Sequence, residues 1–95
     1  MFARAAIYQV PAGALGEARA GFEDAIRRIR ASPGLKDAYL LLGTESDRVM
    51  TLTFWDDHGA MTASQVSASR LRSQAAAAVG GQVVSVDEYE VVATG

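Results

Sequence analysis

Two apolar runs of strand length, separated by the polar segment Gly43-Thr44-Glu45-Ser46-Asp47, constrain this chain more than any other feature. The first run, after Pro33-Gly34, is Leu-Lys-Asp-Ala-Tyr-Leu-Leu-Leu. The second is Arg-Val-Met-Thr-Leu-Thr-Phe-Trp, closed by Asp56-Asp57. Strand-forming residues about a turn-forming middle specify a β-hairpin over residues 35–42 and 48–56. The second run alternates. Met50, Leu52 and Phe54 are purely apolar, whereas Val49, Thr51, Thr53 and Trp55 are mixed. Strand side chains alternate between faces, so this strand has one dry face and one suited to a pocket or a partner.

Residues 2–10 alternate as a first strand, which Pro11 ends because proline cannot donate to a ladder. Leu15, Ala18, Phe22, Ala25, Ile26 and Ile29 then recur at three- and four-residue steps, one apolar stripe of an amphipathic helix that Ser32-Pro33-Gly34 terminates. After the hairpin, Asp56 or Asp57 is placed to cap a second helix. The Ser/Thr/Ala-rich residues 62–69 predict a break in it, residues 70–79 are strong helix formers, and Gly80-Gly81 ends it. Gln82 to Ala93 reads as the last strand. The order β-α-β-β-α-β predicts a ferredoxin-like α+β fold, with a four-stranded antiparallel sheet, two helices on one face, and the first and third strands central. The whole of residues 1–95 reads as a single domain.

At 95 residues the chain buries roughly 60–65% of its unfolded surface, enough for one thin core. A net charge of −2, with no strip of basic and aromatic residues, argues against nucleic acid. The lack of cysteine removes disulfides, thiol chemistry and zinc–thiolate sites. One histidine and scattered carboxylates lack metal-ligand spacing, so no metal is expected. No apolar run approaches the ~20 residues of a membrane span, and the N-terminus has no signal-type hydrophobic region. The expectation is a cytoplasmic protein with no membrane contact.

The helices are expected to cover the drier side: Ala3, Ala5, Ile7, Ala38, Leu40, Leu42, Met50, Leu52, Phe54, Val84 and Val86. The other side then holds Arg4, Ala6, Tyr8, Leu35, Asp37, Tyr39, Leu41, Val49, Thr51, Thr53, Trp55, Val83, Ser85, Asp87, Tyr89 and Val91. That face is too apolar and aromatic to meet water unaided, which predicts a homodimer through the open sheet face, a small hydrophobic or aromatic ligand, or both.

The run Ser-Pro-Gly-Leu-Lys-Asp-Ala-Tyr-Leu-Leu, Arg48 opening a strand that ends Leu-Thr-Phe-Trp-Asp-Asp, then Ala60-Met61, Ala63-Ser64 and the closing Asp-Glu-Tyr-Glu-Val-Val, together resemble the antibiotic biosynthesis monooxygenase family. The resemblance spans nearly the whole chain. It implies a dimeric α+β barrel in which two open sheets face each other, with a pocket inside each sheet. It also implies one of several chemistries, among them cofactor-independent oxygenation of aromatic polyketides and haem degradation. The haem-degrading branch uses an Asn on the first strand and a Trp and a His on the second helix. This chain has no asparagine, and its helical counterparts fall at about Gln65 and Ala75, which predicts no haem degradation.

The candidate catalytic residues are His58, as a general base, and Trp55, as a wall against a flat substrate; the alternatives are a first-turn residue at the rim and a packing residue. The candidate ligand pocket comprises Tyr8, Tyr39, Thr51, Thr53 and Tyr89. Tyr39 and Tyr89 suit either a phenolic ligand or dimer packing. Asp37 and Asp87 read as exposed or paired, for instance with Arg4. Two functions follow: a cofactor-free monooxygenase acting on a small aromatic or polyketide-like substrate, or a non-catalytic dimeric binding or stress-related protein of the same fold.

Overall fold

The computed structural model describes all 95 residues. In order, the elements are β1 (Phe2–Gln9), α1 (Leu15–Ile29), β2 (Leu35–Leu42), β3 (Arg48–Trp55), α2 (His58–Ala63), α3 (Gln65–Ala78) and β4 (Gln82–Glu90). All strand pairings are antiparallel and the order across the sheet is β2-β3-β1-β4, so the first and third strands are central. This is the expected ferredoxin-like arrangement.

The expected helix stripe packs as read, with Ala18, Phe22 and Ile29 buried. Gly34, at φ +80, makes the turn into β2, and a Cβ there would lie 2.5 Å from the Ala60 Cβ. Asp57 caps α2 by accepting from the Ala60 backbone N–H at 2.7 Å. The second helical segment is two helices meeting at Ser64, within the stretch expected to break. The last strand ends at Glu90, short of the expected Ala93.

The facing of the sheet departs from expectation chiefly in the two central strands. Edge strands β2 and β4 are mostly as read: Leu40 and Leu42 pack in the helix-side core, while Asp37, Tyr39, Ser85, Asp87 and Tyr89 pair with residues of the open face; Val83, expected on the open face, pairs with Tyr8 past a register shift in β1–β4. In β1 and β3 the assignment is inverted. Ala6, Tyr8, Val49 and Trp55 are buried beneath the helices, and Arg4 and Thr53 are buried with them. Ala3, Ala5, Ile7, Met50, Leu52 and Phe54 form the open face, in cross-strand pairs Ala3–Phe54, Ala5–Leu52 and Ile7–Met50. The expectation placed the drier set under the helices. The physical reason for the inversion is that both faces of the central strands carry apolar side chains, while the polar Arg4, Tyr8, Thr51 and Thr53 find buried partners on the helix side, in Met61, Ser64, Glu88, Trp55 and each other. Leu35 moves too. A register shift between Leu35 and Asp37 turns it toward Trp55, so it joins the cluster of Ile29, Trp55, Met61 and Ala68.

Candidate functional site

Arg4 is the one charged side chain on the inner face of β1, and the structure is built around it. Its guanidinium is buried. It donates to the Met61 carbonyl at 2.8 Å, to Ser64 Oγ at 3.2 Å and to Glu88 Oε2 at 3.2 Å. It also lies 5.8 Å from the Trp55 ring centroid. Its partners follow from the topology. Glu88 is opposite it on β4, and Met61 and Ser64 end α2, where a cation complements the helix dipole. Arg4 therefore pairs with Glu88 and not with Asp37 or Asp87, which lie on the other face.

Between this sheet face and helices α1 and α3 lies a cavity. Its volume is about 40 Å³, and it opens to solvent at its mouth. Arg4, Tyr8, Thr51, Thr53 and Arg72 supply its polar lining; Phe22, Ala25, Ile26, Ile29, Ala68 and Leu71 supply the rest. The Tyr8 hydroxyl shares a 3.1 Å hydrogen bond with Thr51 Oγ1, a diagonal cross-strand contact. The Tyr8 ring packs on Phe22 with centroids 4.5 Å apart. Burial raises the Tyr8 pKa above the ordinary phenol value, opposed by the Thr51 hydrogen bond and by the nearby Arg72 charge. Tyr8 is thus a neutral phenol at neutral pH. Burial lowers the Arg72 pKa, opposed by Tyr8 and reinforced by the like charge of Arg4.

The predicted site residues separate into four groups. Tyr8, Thr51 and Thr53 line this cavity. Trp55 lies behind it, 0% exposed, with its indole N–H donating to Thr53 Oγ1 at 3.0 Å. Tyr39 and Tyr89 are on the opposite, open face, 51% and 55% exposed. His58 is exposed at the start of α2, edge-on to Phe2 at 5.3 Å, and does not line the cavity. The pocket thus belongs under the helices, not inside the open sheet as expected. A separate hollow of about 220 Å³ lies at the turn end of the β2–β3 hairpin, beside Ile7, Leu41, Leu42, Arg48, Val49 and Met50. Sequence reasoning missed Arg72 and the α1 and α3 lining. The available signal was Arg4: a charge among Ala3, Ala5 and Ala6 on a central strand must find buried partners.

The sequence profile of the antibiotic biosynthesis monooxygenase family matches residues 1–76. Among proteins of curated function none matches the sequence. The chain is similar in structure to a Deinococcus radiodurans protein provisionally assigned as an antibiotic biosynthesis monooxygenase. That match has a TM-score of 0.82 at 13% identity and covers 99% of this chain and 95% of the other. SnoaB, a cofactor-independent oxygenase from Streptomyces nogalater, matches with a TM-score of 0.79 at 18% identity, over 98% of this chain and 94% of its own. The haem degrader MhuD from Mycobacterium tuberculosis, solved with two haems in its active site, matches with a TM-score of 0.72 at 25% identity, over 99% and 98% of the two chains. The cavity here does not fit haem. No imidazole lines it, Gln65 is exposed, Ala75 is a buried packing residue, and the Tyr8 phenol is held neutral and bonded to Thr51.

Proposed function

The chain belongs to the antibiotic biosynthesis monooxygenase family, and from that premise we propose a cofactor-independent monooxygenase acting on a small aromatic or polyketide-like molecule in the cavity between sheet and helices. The observation that carries the reading is the apolar cavity with Tyr8, Thr51 and Thr53 grouped on its sheet wall. An activated methylene would lose one proton to solvent, and the carbanion would add to dioxygen to give a peroxide. Tyr8, as a neutral phenol, would protonate that peroxide. Loss of the second C–H proton with O–O cleavage then yields a carbonyl and water, and Tyr8 regains its proton from solvent. The sum is CH₂ + O₂ → C=O + H₂O. Trp55 supports the wall through Thr53.

The test is oxygen uptake and quinone formation from an anthrone, one O₂ per product. Tyr8→Phe is expected to lower kcat by about 10²-fold, within the range of a general acid. No stoichiometric oxygen uptake with any anthrone would reject the oxygenase and leave the second reading, a binding protein without turnover. That second reading is favoured by the absence of any carboxylate or imidazole from the lining.

The open face is proposed as a homodimer interface. Tyr39, Leu41 and Tyr89 are exposed on it beside Met50, Leu52 and Phe54, and the Tyr39 and Phe54 rings meet edge-to-face at 6.1 Å. A specific interface buries over ~1,000 Å² in total. Sedimentation is expected to give a dimer at micromolar concentration; a monomer would reject it. No helix is long and apolar enough to cross a membrane.

A further inference from the structure

We propose that the cavity takes a ligand with an apolar body and one anionic oxygen group, such as an enolate, phenolate or carboxylate, and that Arg72 on α3 is the residue that binds this group. The inference rests on the cavity being a small-molecule site, not on its being an oxygenase.

Two guanidinium groups line the cavity and no carboxylate does. Their situations differ. Arg4 has a partner for each of its contacts, and Glu88 balances its charge. Arg72 has no ion-pair partner, although the exposed Arg19, Arg27 and Arg28 of α1 all have one. Arg30, Arg48 and Arg70 are also unpaired, but they are exposed to water; Arg72 alone is both unpaired and partly buried. Arg4 and Glu88 cancel, which leaves the cavity wall with one uncompensated positive charge. Arg72 is half-buried against an apolar surface, where an ion pair is screened less than on the outside of the protein. A guanidinium offers a planar fork of donors to a carboxylate or a delocalised oxyanion. Tyr8, also on the lining, supplies a hydroxyl donor. Phe22, Ile26 and Leu71 provide the apolar contact for the body.

Two fluorescent probes share a ring system and differ in charge: 1-anilinonaphthalene-8-sulfonate and the neutral N-phenyl-1-naphthylamine. The wild-type protein is expected to bind the sulfonate about tenfold tighter than the neutral probe, the scale of one charge-assisted hydrogen bond. Arg72→Gln is expected to remove that preference while leaving the neutral probe within about twofold; Arg72→Lys keeps most of it, and Arg28→Gln leaves both affinities unchanged. Two plugs, Ala68→Phe from α3 and Ala25→Trp from α1, are expected to abolish binding of both probes, with circular dichroism checking that each variant folds. A preference that persists in Arg72→Gln, or an equal loss of both probes there, overturns the inference while the cavity remains a ligand site. Binding of both probes that survives whichever plug folds overturns the small-molecule site and the inference with it.

Discussion

The two faces of the central strands differ in kind, and the difference runs against the usual association of dryness with the interior. The helix-covered face holds Arg4, Tyr8, Thr51, Thr53 and Trp55, a set with a charge, hydroxyls and an indole. The open face holds Ala5, Ile7, Met50, Leu52 and Phe54, with no polar side chain among them. A polar group is tolerated inside when every member has a partner, and here no buried side-chain nitrogen or oxygen lacks one. An apolar face is tolerated outside when a second surface covers it. The proposed interface thus falls on the hydrophobic strand face and the proposed site on the mixed one.

The sharpest break of this comparison uses adjacent residues of β3 that point in opposite directions. Trp55→Ala should destabilise the protein by ~3–5 kcal/mol, because a fully buried indole leaves a cavity among Ile29, Met61 and Ala68 and orphans its hydrogen bond to Thr53. Phe54→Ala, on the open face, should cost far less in the fold of one subunit and act on association instead. Urea denaturation at fixed protein concentration separates the two; equal losses would mean the faces are not functionally distinct.

A second break charges the open face. Leu52 lies between Ala5 and Tyr39 in register, at the middle of that surface. Leu52→Asp should convert the dimer to monomer in sedimentation, since an unpaired buried carboxylate costs several kcal/mol, while far-ultraviolet circular dichroism is retained. The equivalent change on the other face, Thr53→Asp, should unfold the subunit instead.

How much of this was legible beforehand follows from the same two faces. The element order, the helix stripe, the Asp57 cap and the break before α3 all arise from local signals, and each is where the residues placed it. In the edge strands Leu40 and Leu42 faced the helices as read and Asp37 and Asp87 faced away, but the irregularities at Leu35 and Val83 were not legible. In β1 and β3 both sides are apolar enough to be buried, and period-two alternation gives two sets without saying which set meets the helices. The pocket inherited that ambiguity: Tyr8, Thr51 and Thr53 stayed together as a group but moved beneath α1 and α3, while Tyr39 and Tyr89 stayed outside. Arg72 was illegible for a different reason. On an alanine-rich helix with little amphipathic contrast, nothing in the sequence marks which arginine turns inward.

A smaller effect tests the polar side of the comparison. Glu88→Gln removes the charge that balances Arg4 but leaves its contacts to Met61 and Ser64. Because Glu88 is 41% exposed, the loss should be about 1 kcal/mol or less, and it should shrink further in high salt. A loss that is independent of salt would mean that packing, not charge, holds β4 to this wall.

The last expected effect concerns Tyr8 and carries a sign. Tyr8→Phe deletes the hydroxyl bonded to Thr51 and should cost about 0.5–1.5 kcal/mol at neutral pH, the net value of one such bond. Burial raises the Tyr8 pKa in the folded protein above its unfolded value of about 10, so the neutral phenol is the form the fold favours. The associated stability is complete below the unfolded pKa and is lost as pH rises through the folded one. The stability difference between wild type and Tyr8→Phe should therefore be flat from neutral pH to about 10 and narrow above it. Tyrosinate absorbance in an alkaline titration should show one group that ionises later than in unfolded protein and disappears in Tyr8→Phe. A difference that widens with alkalinity would mean the phenolate is the favoured form, held by Arg72. Tyr8 would then serve the cavity as a base and not as the proton donor assigned to it.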